Sequence, residues 1–150
     1  MLPLRVPKDG WIIVGDGRKA LFLRNDGNIL QPKLSISNIL TAPENLATAA
    51  QGADRPGRAF NSANGRRSAV EQTDWHRLAE SHFAREVAAA VDRLCVSQSV
   101  AWLAMVAPPQ TLAEWRGHIG DMTRGAVKAE VAKELTKHPI SEIERLLTRA

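Results

Sequence analysis

The chain has 150 residues, 44% hydrophobic and 24% charged, a globular composition that excludes a disordered or fibrous chain. That length fits one ordinary domain over residues 1–150, large enough to bury a core. With 20 Lys and Arg against 16 Asp and Glu the formal charge is +4, a mild tilt toward anionic partners, and the single cysteine excludes an internal disulfide framework.

No stretch approaches the roughly 20 apolar residues that span a bilayer. The start, Met1-Leu2-Pro3-Leu4-Arg5-Val6-Pro7-Lys8-Asp9, lacks a charged head followed by an apolar run, so no signal peptide is expected. The expectation is a cytoplasmic protein without a membrane partner. Cys95 sits among Val91, Leu94 and Val96, which predicts a buried, inert thiol.

The first third reads as a β-meander. Trp11–Val14 and Ala20–Leu23 are short apolar runs suited to strands. Between them stands Gly15-Asp16-Gly17-Arg18, and Asn25-Asp26-Gly27-Asn28 follows the second run. Asp-Gly favours two-residue hairpins because both positions tolerate φ > 0. A third run passes through Leu34, Ile36 and Ile39. From Thr41 to Arg67 the pattern vanishes into a stretch rich in Ala, Asn and Ser, punctuated by Pro43, Gly52, Pro56, Gly57 and Gly65. A connection of that length is usually functional or disordered.

Ser68-Ala69-Val70-Glu71 is a capping-box signature and predicts a helix from Ser68 to about Leu94. Trp75, Ala79, Phe83, Val87, Ala90 and Leu94 form its apolar face. Val100–Val106 reads as a strand buried on both faces, ended by Pro108-Pro109. Thr111-Leu112-Ala113-Glu114 offers a second capping box for a short helix to about Ile119. Ala126–Leu135 alternates enough to favour a strand over a helix, and Pro139 suits the first turn of a helix carrying Ile140, Ile143, Leu146 and Leu147. The element order implies an α/β fold with a mixed sheet of about five strands, an antiparallel meander first, and helices on its faces.

Several segments carry a family resemblance. They are Asp16-Gly17-Arg18-Lys19-Ala20, Gly52-Ala53-Asp54-Arg55-Pro56-Gly57-Arg58, Arg67-Ser68-Ala69-Val70-Glu71 with Asp74-Trp75-His76, Val106-Ala107-Pro108-Pro109 with Thr111-Leu112, and Leu135-Thr136-Lys137-His138-Pro139. In this order the chain resembles the bacterial host-attachment protein family. That family is more remotely similar to the middle domain of archaeal and eukaryotic peptide-chain release factors. The resemblance implies a ribonuclease-H-like arrangement and a basic, glycine-rich loop ahead of a long helix. In those factors the loop carries Gly-Gly-Gln. Here the corresponding place is Asn64-Gly65-Arg66-Arg67-Ser68, without that motif, so the release reaction is not carried over.

Four groups of residues are candidates for chemistry. Arg55, Arg58, Arg66 and Arg67, with Arg18 and Lys19 of the first hairpin, suit phosphate, because guanidinium groups form forked, charge-assisted hydrogen bonds with it. Their bland alternative is a solvated loop. Pro108–Thr111 lies between a strand and a helix N-terminus, where free N–H groups hold anions; Thr111, Ser68 and His76 are assigned to that candidate ligand crevice, against a plain structural turn. Asp74, His76, Glu80 and His82 lack the four-residue histidine spacing of a zinc helix, so no metal is expected there. Asp16 suits turn chemistry better than metal ligation, and Asp16, Asp54, Glu71 and Asp74 share no motif of a two-metal nuclease. Ser68 lacks a nucleophile elbow. The leading expectation is a non-catalytic module that binds RNA or the ribosome through the basic Arg55–Arg67 loop, with no cofactor and with neither DNA nor membrane as partner; attachment to host cells would then be indirect. A metal-dependent hydrolase or nuclease, and a protein-binding adaptor, stand as alternatives.

Overall fold

The computed structural model describes residues 2–43 and 65–149, and within 65–74 the backbone alone. Five strands, β1 (Trp11–Gly15), β2 (Lys19–Asn25), β3 (Leu34–Thr41), β4 (Leu103–Val106) and β5 (Val127–Val131), form one sheet in the order β3-β2-β1-β4-β5. β1–β2 and β2–β3 pair antiparallel, while β1–β4 and β4–β5 pair parallel, so the sheet is mixed as the sequence implies.

The alternation along each central strand feeds two separate cores. Trp11, Ile13, Ala20, Phe22, Leu103 and Met105 face one side; Ile12, Val14, Leu21, Leu23, Ala104 and Val106 face the other. The first side is covered by helices α1 (Gly65–Ser97), α2 (Pro109–His118) and α3 (Asp121–Ala126). The second is covered by α4 (Ile140–Thr148) and by Leu4 and Val6. A strand buried on both faces needs apolar residues at every position, which is why β1 and β4 read as unbroken apolar runs.

Both reversals of the meander differ from the expected two-residue turns. No described glycine has positive φ. The first reversal takes Asp16–Arg18, held by the Asp16 carboxylate, which accepts from the amides of Arg18 (2.7 Å) and Lys19 (2.8 Å). The second occupies residues 26–33 and is organised by the buried Asn25 side chain. β3 is an edge strand with Ile36 and Ile39 each 45% exposed. Two of its amides turn to side chains instead of a further strand: Leu34 to Glu144 and Ile39 to Asn38. Such local satisfaction blunts the edge against pairing with another chain.

The helix boundaries also move. α1 begins at Gly65, so Ser68 is its fourth residue instead of its cap, and the connection expected over 41–67 gives up Thr41 to β3 and Gly65–Arg67 to α1. The helix runs on to Ser97 and closes where Ser99 turns left-handed (φ 50°) and the Val100 amide reaches the Cys95 carbonyl. Its buried residues are Phe83, Ala84, Val87, Ala88, Val91 and Cys95, while Trp75 is 47% exposed. A helix of 33 residues spans about 50 Å, longer than any strand of the sheet.

α2 starts at Pro109, two residues before the expected capping box, and has no side-chain cap. Thr111 therefore lies inside the first turn, and Glu114 takes a hydrogen bond from Ser81 (3.4 Å). α3 was not expected at all. Its start is held from α1, where Asp92 accepts from the Gly120 amide and the Thr123 hydroxyl. The expected strand over Ala126–Leu135 shortens to β5, and Pro139 caps α4 from just outside it.

Cys95 is 2% exposed. Burial pushes its thiol pKa up and nearby Asp92 pushes the same way, against a smaller lowering by a hydrogen bond with Thr123. The native chain should therefore resist a thiol-reactive chromophore at mildly alkaline pH and react fully once unfolded in denaturant. Fast labelling of the native chain would contradict this burial.

Candidate functional site

β1 and β4 are adjacent and parallel, yet the chain leaves their carboxyl ends in opposite directions. From β1 it turns to β2 on one side; from β4 it passes through α2 to β5 on the other. A crevice opens where such connections diverge. Here it is an open cleft of about 400 Å³.

Four segments line it. The β1–β2 turn contributes Asp16, Gly17 and Arg18; α1 contributes Arg77, Glu80, Ser81 and Ala84. The β4–α2 junction supplies Pro108, Gln110, Thr111 and Glu114, and the β5–α4 connection supplies Glu134 and Lys137. α1 approaches the turn closely at Gly17, where a Cβ would stand 2.6 Å from Oε2 at the end of the exposed Glu80 side chain.

The start of α2 is one wall of the cleft. Leu112 is the first residue whose amide bonds back into the helix, to the Pro108 carbonyl at 3.0 Å. Pro109 has no N–H, so Gln110 and Thr111 carry the amides without an intrahelical acceptor. No acidic side chain occupies that first turn. Among the described residues, Arg18, Arg77 and Lys137 make no salt bridge, as is also true of Arg85, Arg93 and Lys133 outside the cleft, whereas Arg24, Arg116, Arg124 and Arg145 are each paired to a carboxylate. Burial matters little for the three cleft cations, since all are exposed.

Four carboxylates, Asp16, Glu80, Glu114 and Glu134, line the cleft beside these three cations. Asp16 is engaged on both oxygens: Oδ1 takes the Arg18 and Lys19 amides, and Oδ2 takes the Thr136 hydroxyl at 2.6 Å. Glu114 accepts from Ser81 and lies 3.6 Å from His118. Among the described residues no three or more His, Cys, Asp or Glu side chains stand close enough to hold a metal ion. His82 pairs with Glu86 at 3.2 Å instead of joining His76.

The sequence-derived residues fall as follows. Arg18 and Thr111 line the cleft together. His76 lines a small adjoining recess that shares Gly17, Arg18 and Glu80 with it. Lys19 begins β2 on the sheet face of Leu21 and Leu23, and does not line the cleft. Ser68 lies on α1 about 12 Å before His76 along the helix axis. Arg66 and Arg67 fall in the first turn of α1; their side chains, and those of Ser68, Glu71 and Asp74, lie outside the described residues, as do Arg55, Arg58 and Asp54. Arg77 and Lys137 were missed. Arg77 has no local signal, but Thr136 and Lys137 sit in one of the segments that carry the family resemblance.

No helix among the described residues is long and apolar enough to cross a membrane. No curated protein matches the chain. The family model described as a protein required for attachment to host cells matches residues 11–147, from the first residue of β1 to the last turn of α4. The chain therefore belongs to the host-attachment family.

Proposed function

We propose that this host-attachment protein is a non-catalytic module that binds RNA, free or in the ribosome, through its phosphate backbone in the cleft at the ends of β1 and β4. The observation that carries the reading is the convergence of Arg18, Arg77 and Lys137, from three separate elements, on a cleft that Gln110 and Thr111 at the start of α2 also line. Phosphate oxygens accept from cationic side chains and from free helix amides. Arg55, Arg58, Arg66 and Arg67, strung between β3 and the first turn of α1, supply further cations. In this reading any effect on host attachment is indirect, through the RNA that is bound, and the chain acts in the cytoplasm.

The hydrolase reading has less support. A two-metal site needs several convergent carboxylates, and Asp16 is already engaged on both oxygens. Binding of a labelled single-stranded oligoribonucleotide, measured across a salt series, tests the proposal. The combined Arg18→Ala, Arg77→Ala and Lys137→Ala change should weaken binding by about tenfold and reduce the slope of log K against log salt by about 2, since each single-strand phosphate contact contributes about 0.7. Equal affinity and slope in the variant would remove the cleft from the reading. Divalent-metal-dependent cleavage of the same oligonucleotide would replace it with the hydrolase.

A further inference from the structure

We propose that Asp16 and Thr136 form a clip that sets the distance between two walls of the cleft, so that Asp16, an acid in an anion site, promotes anion binding as a positioning residue. The inference rests on the cleft reading above. It assigns a role to a carboxylate whose charge alone would oppose the ligand.

The geometry is specific. Asp16 Oδ1 closes the β1–β2 turn through the amides of Arg18 and Lys19, and so fixes the backbone from which the Arg18 side chain projects. Asp16 Oδ2 reaches across to Thr136, 120 residues away in sequence, on the β5–α4 connection. Thr136 is 4% exposed, does not line the cleft, and immediately precedes Lys137, which does. One carboxylate thus registers the two backbone segments that present Arg18 and Lys137. A hydrogen bond to a charged acceptor is among the stronger kinds, and the Thr136 hydroxyl is too buried to exchange it readily for water.

Charge and position can be separated experimentally. Thr136→Val changes no charge and no residue lining the cleft, yet removes the clip. It should weaken binding of the labelled oligoribonucleotide on the order of tenfold, equivalent to one coupling of about 1.4 kcal/mol, and should speed amide hydrogen exchange at Arg18 and Lys19. Asp16→Asn and Asp16→Ala remove the same negative charge. The asparagine keeps an acceptor for the turn amides and offers an N–H to the Thr136 oxygen, so D16N should bind at least as tightly as the unaltered chain, while D16A should bind more weakly. Parallel gains in D16N and D16A would show that Asp16 acts by charge alone and would overturn the clip, as would unaltered binding in Thr136→Val. If the unaltered chain fails to bind the oligoribonucleotide, the cleft reading itself fails; if it binds and Thr136→Val binds equally, only the clip does.

Discussion

Asn25→Ala should lower the stability of the chain by about 4 kcal/mol, measured by denaturant unfolding. Asn25 is fully buried at the end of β2 and uses its whole amide. Its Nδ2 donates to the carbonyls of Val6 (3.0 Å), Pro7 (3.2 Å) and Asn28 (3.3 Å), and its Oδ1 accepts from the amides of Gly27 (2.9 Å) and Lys33 (2.8 Å). Truncation to alanine strands the buried Val6 carbonyl and leaves the part-buried amides of Gly27 and Lys33 without their acceptor, and an unsatisfied buried group costs about 1–3 kcal/mol. Asn25→Asp is no conservative replacement, because its second oxygen would face the Val6 and Pro7 carbonyls that now accept. Burial and that repulsion raise the folded pKa of the new carboxyl above its unfolded value. The folded state then binds more protons, so the penalty should shrink as pH falls and grow as pH rises. A loss below about 1 kcal/mol for Asn25→Ala would mean that the 26–33 connection does not depend on this side chain.

Gly15→Ala is expected to cost about 3 kcal/mol for a different reason. A Cβ built on Gly15 would stand 2.6 Å from both Cζ2 and Cη2 of Trp115, and 3.1 Å from the Lys19 carbonyl. Trp115 is 1% exposed and projects from α2 into the core, where close packing resists displacement of its ring. The requirement for glycine here is one of space, since no described glycine has positive φ. Trp115→Leu should itself destabilise, yet combined with Gly15→Ala the two losses should fall short of their sum by a kcal/mol or so, because the smaller side chain makes room. Strict additivity in that cycle would show that the two positions do not compete for volume. The site of the clash adjoins Asp16, so Gly15→Ala should also disturb the cleft, seen as weaker oligoribonucleotide binding.

Both sites show where local pattern ends and packing takes over. Asp-Gly pairs at Asp16-Gly17 and Asp26-Gly27 marked the two reversals of the meander from sequence, but not how they are made. The first is closed by a carboxylate and the second by a buried amide, neither of which a dipeptide pattern reveals. The capping boxes at Ser68 and Thr111 misplaced their helix starts by a few residues. Local cap chemistry competes with tertiary fit, and α2 instead begins at a proline pair whose ring geometry suits a first turn.

The order of strands and helices, the mixed five-stranded sheet, the buried thiol and the family resemblance were legible in the chain itself, because period-2 and period-3.6 patterns report which face of an element is buried. The α3 helix was not legible, since its start is held by Asp92 from another helix. Nor was the cleft. Asp16, Arg77, Thr111 and Lys137 lie on four segments spread over 122 positions, and only the divergence of the chain at the ends of β1 and β4 brings them together. Sequence pattern encodes the faces of elements; a site that draws one side chain from each of several elements exists only once the sheet order is set.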